Sequence, residues 1–292
     1  MKIKLMGGYD KNALESRIQK VAAAGKLSRF EGNVFEVIES CNDYDKNLKL
    51  IKRIIGMGHK SIIEHDYLVF AICDVTPIVE QTIIGNRLTS FTIKSRREVD
   101  FRTAGFYVPE FRTKDLKPHP KNNEIKEKYI KHMKSLFNTY GDLVDNGINV
   151  EDARFILPYS FYSNIIMGLD ARELEKLVTS LLYGPLSKVS ELKELGNKLY
   201  EIIKEHVPYL VTEIENCKIF QSNPFDYMES VSTRPNINIL EKTNLISYTP
   251  NPDDVILKSS IMYHFQCNED EANAILSESM QKDPDYKKKC MK

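Results

Sequence analysis

Residues 59–97 constrain this chain more than any other stretch, because they join a polar cluster of fixed spacing to patterns of regular structure. The stretch begins with His-Lys-Ser-Ile-Ile-Glu-His at residues 59–65. Residues 67–73 are apolar on both faces of a strand, which predicts that the strand is buried. A Thr-Pro pair then predicts a helix over residues 76–87, and a second strand is predicted at 95–101.

The remainder of the chain mixes strand and helix patterns without a regular β-α-β order. Strands are predicted at residues 2–6 and 159–167, and helices at 11–27, 44–56, 123–145, 170–183 and 187–206. This mixture predicts an α+β fold rather than a doubly wound parallel sheet. Because the chain contains no Gly-x-Gly-x-x-Gly run, a Rossmann-type dinucleotide site is unsupported.

The charge and cysteine content argue against several classes of function. Lys plus Arg and Asp plus Glu both total 41, so the formal net charge is zero and no global field attracts nucleic acid. No apolar run is long enough to span a membrane, and the first residues lack the apolar core of a signal peptide. The five cysteines are odd in number and lack Cys-x-x-Cys spacing. We therefore expect a cytoplasmic protein without structural disulfides, a metal site, or a nucleic-acid or membrane partner.

Two motifs in the stretch resemble the core of the flavin-dependent thymidylate synthases, the thymidylate synthase complementing protein family. In that family a His-x-(Ser/Thr)-x-x-Glu-His motif is followed by Arg-His-Arg, seven residues and Ser. Residues 59–65 match the first motif, while Gly85-Asn86-Arg87, seven residues and Ser95 keep the spacing of the second. The resemblance implies an α+β fold with a mixed sheet and flanking helices, formed by a domain at residues 1–215.

The resemblance also implies a reaction and its participants. The family transfers a one-carbon unit from methylenetetrahydrofolate to dUMP, reduces it with the hydride of FAD and forms dTMP without a cysteine nucleophile. FAD is thus the implied cofactor, and the implied partners are a folate and dUMP or a related nucleotide. Because family sites are shared between subunits, the resemblance further implies a homo-oligomer, namely a homotetramer.

Two sets of binding residues follow from the resemblance. The residues that match flavin-binding positions are His59, Ser61, Glu64, Asn86 and Arg87, and those that match dUMP-binding positions are Gln81, Ser95, Arg97 and Arg154. Ser61 and Glu64 also have the spacing of a helix capping box, and the Gly-Asn pair is also typical of a helix C-terminus. Ser95 and Arg97 lie two apart on a predicted strand and face one side, either as a phosphate clamp or as a solvated edge.

Several departures from the family pattern indicate impaired chemistry. Gly85 and Asn86 replace an arginine and a histidine, and the loss of one charged contact to phosphate weakens flavin binding by about tenfold to a hundredfold. Leu181 stands where the family has an arginine that reaches the uracil ring, so the catalytic residues are unknown. Ile93 replaces a family acidic residue, and Lys176 replaces an asparagine.

We interpret the chain as a divergent family member that retains nucleotide binding and has impaired activity. One alternative is a divergent enzyme that recruits other residues and acts on another nucleotide. The other alternative is a non-catalytic flavin- or nucleotide-binding homologue that serves as a structural subunit.

The sequence pattern changes near residue 216, which indicates a separate C-terminal segment. We expect an irregular linker at residues 216–243 and an appendage at 244–292. Residues 245–256 have the pattern of a strand, a proline-rich turn and a helix start, and they resemble the opening of the family domain. The appendage is therefore either the start of a second, degenerate copy of that domain or a plain helical extension.

Overall fold

The computed structural model of the protein describes residues 1–7, 10–217 and 251–290. The chain divides into two compact units. The first unit comprises residues 1–182 and 186–217, and the second comprises residues 183–185 and 218–292. None of the described helices is long and apolar enough to cross a membrane.

A four-stranded sheet with strand order β1-β2-β4-β3 forms the framework of the first unit. The strands are β1 (Lys2–Leu5), β2 (Tyr67–Val75), β3 (Ser90–Ile93) and β4 (Ser163–Asp170). The mixture of this sheet with helices confirms the α+β class. The predicted mixed sheet is wrong in one respect, because all the described pairings are antiparallel.

The central strand β2 is buried on one face. Leu68, Phe70 and Ile72 are almost fully buried, whereas Tyr67 is half exposed. Phe70 lies opposite Leu5 of β1 and Met167 of β4. The prediction that both faces of this strand are buried is therefore wrong, because an antiparallel sheet can leave one face toward solvent.

The helices of the first 217 residues follow the predicted order closely. They are α1 (Lys11–Leu27), α2 (Val34–Glu39), α3 (Tyr44–Gly56), α4 (Pro77–Gly85), α5 (Asn122–Asp145), α6 (Val150–Ala153), α7 (Ala171–Tyr183), α8 (Ser190–His206) and α9 (Val211–Asn216). Short 3-10 helices occupy Lys60–His65, Arg154–Ile156 and Pro185–Lys188. Asp10 and Asp43 set the starts of α1 and α3, since each carboxylate accepts a backbone N–H bond of 3.0 Å from the first turn.

Three predicted boundaries differ from the structure near the family motifs. The helix predicted over residues 76–87 ends at Gly85. The predicted strand at 95–101 is a turn, because the Ser95 hydroxyl accepts the N–H of Arg97 at 3.2 Å and its carbonyl accepts the N–H of Val99 at 3.2 Å. The strand lies earlier instead, as β3. The strand predicted from residue 159 begins at Ser163, since a turn precedes it.

A buried ion pair ties α1 to the residue that follows the Lys60–His65 helix. Arg17 donates hydrogen bonds of 2.7 and 2.8 Å to the fully buried Asp66, and the Tyr209 hydroxyl donates to the same carboxylate. The Asp66 carbonyl accepts the N–H of Ala171, at the start of α7, at 2.8 Å. Burial alone would lower the pKa of Arg17, but the contacts with Asp66 raise it overall. Asp66 therefore fixes the end of the His59–His65 motif between α1 and α7.

The second unit is described as three helices around a small apolar core. The helices are α10 (Pro252–Phe265), α11 (Glu269–Lys282) and α12 (Tyr286–Cys290). Their buried core is formed by Leu257, Ile261, Phe265, Cys267, Ala272, Ile275, Leu276 and Tyr286. The strand pattern at 245–249 and the irregular segment at 218–240 lie outside the described residues.

Candidate functional site

Two arginines from distant parts of the chain converge on a single carboxylate. Arg97 follows β3 and lies in the turn closed by Ser95, while Arg154 begins the short helix after α6. The Nε of Arg97 lies 2.6 Å from Oε1 of Glu151, and an Nη2 of Arg154 lies 3.6 Å from the same oxygen. The structure therefore brings together three of the four predicted dUMP-binding residues, namely Ser95, Arg97 and Arg154.

Arg96 anchors this turn to the interior. Its guanidinium contacts the buried Glu80 of α4 at 2.6 Å and lies 5.3 Å from the centre of the Phe161 ring. The side chain of Arg97 is 63% exposed by contrast. The two neighbouring arginines thus have different tasks, since Arg96 holds the turn while Arg97 remains accessible to a ligand.

The end of α4 carries the altered family triplet. Asn86 caps the helix, and its N–H donates to the carbonyl of Ile83 at 3.1 Å, so the helix C-terminus reading of Gly85 and Asn86 is confirmed. Its side-chain Nδ2 is buried and has no partner in the described part of the chain. Arg87 and Gln81 are both exposed, but Arg87 lies beyond the helix, so the predicted placement of both residues on one helix is wrong.

The His59–His65 motif forms a 3-10 helix rather than a capped α-helix. His59 stands at its N-cap without a side-chain hydrogen bond, so the predicted Ser61–Glu64 capping box is not formed. Glu64 instead forms an ion pair with Arg172 of α7. His59 and Ser61 are exposed and line a common cavity.

This cavity, which we call the α1/α3 cavity, has a volume of about 510 Å³. It is lined by Ala24, Gly25, Lys26, Ser28, Arg29, Leu50, Arg53, Ile54, Met57, His59, Ser61 and Ile62. Gly25 permits the close approach of α1 to α3, because a Cβ there would lie 2.7 Å from Cδ1 of Ile54. The sequence motif pointed to His59 and Ser61. It did not point to Lys26, Arg29 and Arg53, which line one cavity only because α1 packs on α3.

Lys60 attaches the motif to the C-terminal helices of the first unit. Its ammonium group lies 2.6 Å from Glu175 of α7 and 3.1 Å from Glu213 of α9. Burial alone would lower the pKa of Lys60, but the hydrogen bonds to the two carboxylates raise it overall. Lys60 therefore stays charged and holds the motif in place.

Leu181 faces the core rather than an open site. It is fully buried on α7, and the backbone of Gly196 on α8 passes so close that a Cβ at Gly196 would lie 2.7 Å from Cβ of Leu181. Lys176, one of the family departures, pairs with Glu173 at 2.6 Å on the same helix. The Leu181 position therefore carries no cation, and the ammonium group of Lys176 is paired.

Three of the thiols are not activated as nucleophiles in the described structure. All five cysteines are free, and burial raises the pKa of Cys217, Cys267 and Cys290. A raised pKa keeps a thiol protonated and unreactive at neutral pH. Among the described residues, no group of three or more His, Cys, Asp or Glu side chains is placed to hold a metal ion.

Comparison with known proteins supports the relationship suggested by the motifs. The model of the family described as "Thymidylate synthase complementing protein" matches residues 12–209. The flavin-dependent thymidylate synthase of Thermococcus onnurineus is 31% identical over 179 residues, which cover 60% of this chain and 68% of the relative. That of Pyrococcus furiosus is 32% identical over 171 residues, which cover 57% and 65%. The matched region thus spans about two thirds of the relatives' length.

A solved structure shows a similar fold. The UMP/dUMP methylase PolB from Streptomyces cacaoi, bound with 5-Br dUMP, aligns with a TM-score of 0.58 and covers 74% of this chain and 94% of the other. At 19% identity this likeness concerns the fold alone. Together with the match over residues 12–209, the motif residues place this chain in the thymidylate synthase complementing protein family.

Proposed function

We propose that the chain binds FAD and the phosphate of dUMP or a closely related nucleotide, and that its thymidylate synthase activity is impaired. The observation that carries the proposal is the convergence of Arg97 and Arg154 on one oxygen of Glu151. Two guanidinium groups that share one carboxylate oxygen are also close enough to share one phosphate. The hydroxyl of Ser95, in the same turn, is a further hydrogen-bonding group beside them.

A nucleotide phosphate competes well with Glu151 for these arginines. The side chain of Glu151 is 37% exposed and that of Arg97 63% exposed, so their ion pair is screened by water. Such pairs contribute about 0–1 kcal/mol. Charge-assisted hydrogen bonds to phosphate contribute roughly 1.5–3 kcal/mol each. A phosphate carries up to two negative charges and can accept hydrogen bonds from both arginines, so it can replace Glu151 as their partner.

The residues present fit a flavin in part. His59, Ser61 and Arg87 are exposed and available, and the buried Nδ2 of Asn86 lacks a described partner. Glu64 is engaged by Arg172 and would have to exchange that partner to contact a ligand. The flavin, when bound, supplies the hydride of the family reaction. On this chain, the assigned residues bind and orient it.

The proposed loss of activity follows from the residue at the position where the family has an arginine beside the uracil base. The position of the family arginine is the buried Leu181, so this position supplies no guanidinium to the uracil. A preorganised donor to developing charge is worth about 2.7–4 kcal/mol, or about a hundredfold to a thousandfold in rate. We therefore expect this chain to retain binding of the nucleotide phosphate while its rate of dTMP formation is reduced.

A divergent enzyme that acts on another nucleotide is the second candidate. The similar fold of PolB, described as a methylase of UMP and dUMP, favours a test of the ribonucleotide as well as the deoxyribonucleotide. A structural subunit without catalysis is the third candidate, and it would purify without a flavin absorption spectrum.

We propose a homotetramer located in the cytoplasm. The residues assigned to flavin lie on a short 3-10 helix and at one helix end, and these elements alone do not enclose a dinucleotide. A second subunit would complete the enclosure. Light scattering at micromolar concentration should give the mass of an oligomer, and a monomer would count against a formed flavin site.

We also propose the domain limits 1–215, 216–243 and 244–292, with the last segment the start of a second, degenerate copy. The order α10, α11 parallels the order α1, α3 when the short helix α2 between the latter two is left out. Cys41 and Cys267 are both buried just before the second helix of each set. Superposition of the two helix sets tests whether the C-terminal segment repeats the start of the domain. Helices that run in different directions would show that the segment is a plain helical extension.

Calorimetric titration with dUMP tests the nucleotide proposal. Arg97→Ala and Arg154→Ala should each weaken binding by about tenfold to a hundredfold, since each removes a charge-assisted contact. Arg102→Ala is the matched control, because Arg102 pairs with Asp100 and Asp145 at the surface. Equal binding by all variants would refute the phosphate site, and robust dTMP formation by the parent chain would refute the impaired activity.

A further inference from the structure

The α1/α3 cavity is cationic. Its ionisable lining consists of Lys26, Arg29, Arg53 and His59, and none of the described residues that line it is acidic. Arg29 follows the end of α1 and Arg53 lies on α3, so the charges come from two elements. Like charges gathered in one concave site create a local potential that attracts an anion.

The cations of the cavity are available to a ligand. Arg29 and Arg53 are exposed, and the guanidinium group of neither forms an ion pair or hydrogen bond with a described residue. Lys26 donates to the neutral hydroxyl of Ser40 at 2.7 Å and lies over the ring of Phe30, so its charge is not neutralised there. In contrast, Lys60 just outside the cavity is paired with two carboxylates.

The remaining lining suits a ligand with both phosphates and an apolar part. Leu50, Ile54, Met57 and Ile62 form an apolar wall next to the cations. A volume of about 510 Å³ lies within the range typical of ligand pockets. His59 and Ser61, which match flavin-binding positions, border the same space.

We propose that this cavity binds the pyrophosphate of the flavin dinucleotide, with Lys26, Arg29 and Arg53 in place of the cations missing at Gly85 and Asn86. The inference rests on the proposed flavin binding and adds the residues that hold the phosphates. A pyrophosphate fits better than a single phosphate, because three cations from α1, the segment just after it and α3 line one cavity. Arginine is also well suited to phosphate, since its planar guanidinium donates two parallel hydrogen bonds.

Titrations of the flavin-free full chain test the assignment. Binding of FAD and riboflavin is measured by flavin fluorescence. Binding of inorganic pyrophosphate is measured by the rise in the melting temperature of the protein. In the Arg29→Gln/Arg53→Gln chain, FAD should bind more weakly by about a hundredfold or more, since two charge-assisted contacts are lost. Riboflavin, which lacks phosphate, should bind as before, and pyrophosphate should no longer raise the melting temperature. Lys52→Gln is the control, since Lys52 is exposed on α3 and does not line the cavity.

The outcomes separate this inference from the proposed function. If the parent and the double variant bind FAD equally, the cavity assignment is wrong and flavin binding stands. If the double variant binds FAD and riboflavin more weakly by the same factor, the arginines do not act on the phosphates. The assignment is then also wrong. If the parent binds pyrophosphate through these arginines but binds no flavin, the cavity is an anion site without a flavin, and both proposals fail. If it binds neither ligand, both proposals fail as well.

Discussion

The guanidinium groups of Arg97 and Arg154 contact the same oxygen of Glu151, although 57 positions separate the two arginines in sequence. Arg97 reaches the carboxylate from the turn after β3, and Arg154 from the 3-10 helix after α6. The carboxylate thus lies between the arginines where we place the nucleotide phosphate. It holds the two cations together in the absence of a ligand and must leave when a phosphate arrives.

We expect Glu151→Gln to strengthen dUMP binding by about threefold to fivefold, because the removed ion pair contributes about 1 kcal/mol at most. Calorimetry measures the change. Asp152→Asn is the matched control, since Asp152 is the exposed acid next in the chain. Weaker binding in Glu151→Gln would show that Glu151 positions the arginines rather than competes for them.

The carboxylate of Asp66 is expected to be essential for stability. Asp66 is fully buried and accepts hydrogen bonds from Arg17 and Tyr209, so Asp66→Ala leaves a buried guanidinium without its counterion. We expect a loss of about 3–5 kcal/mol in the free energy of unfolding. Urea denaturation measures it, and Asp43→Ala, which removes an exposed helix cap, should cost only about 1 kcal/mol. A similar small loss in both variants would contradict the role of the buried pair.

Alkaline pH should also weaken the fold through Tyr209. Burial beside Asp66 raises the pKa of Tyr209 well above its usual value of 10.0. Above pH 10 the unfolded chain therefore releases a proton that the folded chain retains, and stability falls as the pH rises. Tyr209→Phe should remove this part of the pH dependence in melts between pH 9 and 11. An unchanged pH profile would show that other groups cause the decline.

The sequence predicted elements whose determinants are local. α1 and α3 lie where periodicity placed them, since each has an aspartate cap and an apolar stripe. The alternating pattern of residues 95–101 predicts a strand, but these residues form a turn. The hydrogen bond from the N–H of Arg97 to the Ser95 hydroxyl stabilises the turn in place of strand pairing.

Contacts between distant residues were beyond the reach of sequence patterns. The sequence did not point to Glu151, because its contact with Arg97 depends on the packing of the Ser95 turn beside α6. Arg29 and Arg53, 24 positions apart, were likewise missed, because they become neighbours of one cavity only through the packing of α1 on α3. The family motif indicated candidate site residues, whereas the packing decides which charges surround them.

We expect that replacement of Leu181 by arginine destabilises the protein and does not restore activity. Leu181 is fully buried against Gly196, so an arginine there would place an unpaired charge in a filled core. The expected loss is about 4 kcal/mol or more in the free energy of unfolding. Leu181→Met, which conserves volume, should cost less than about 1.5 kcal/mol. A stable Leu181→Arg chain with increased dTMP formation would show that α7 can turn this position toward the base.

The Gly85 position, unlike Leu181, has room for the missing family cation. A Cβ there meets nothing within 4 Å, and the residue ends α4, where an arginine also interacts favourably with the helix dipole. Gly85→Arg should therefore fold normally, and it should gain a few tenths to about 1 kcal/mol from the loss of a helical glycine.

Restoration of this cation should compensate for the loss of the cavity arginines. In the Arg29→Gln/Arg53→Gln chain we expect Gly85→Arg to strengthen FAD binding by about tenfold, because it returns one charge-assisted contact to the phosphates. In the parent chain the gain should be smaller, since the cavity arginines already neutralise those phosphates. Ile84→Arg adds the same charge to an exposed neighbour and should not reproduce the gain. Equal gains in both backgrounds would mean that the cavity arginines and residue 85 act on different parts of the ligand.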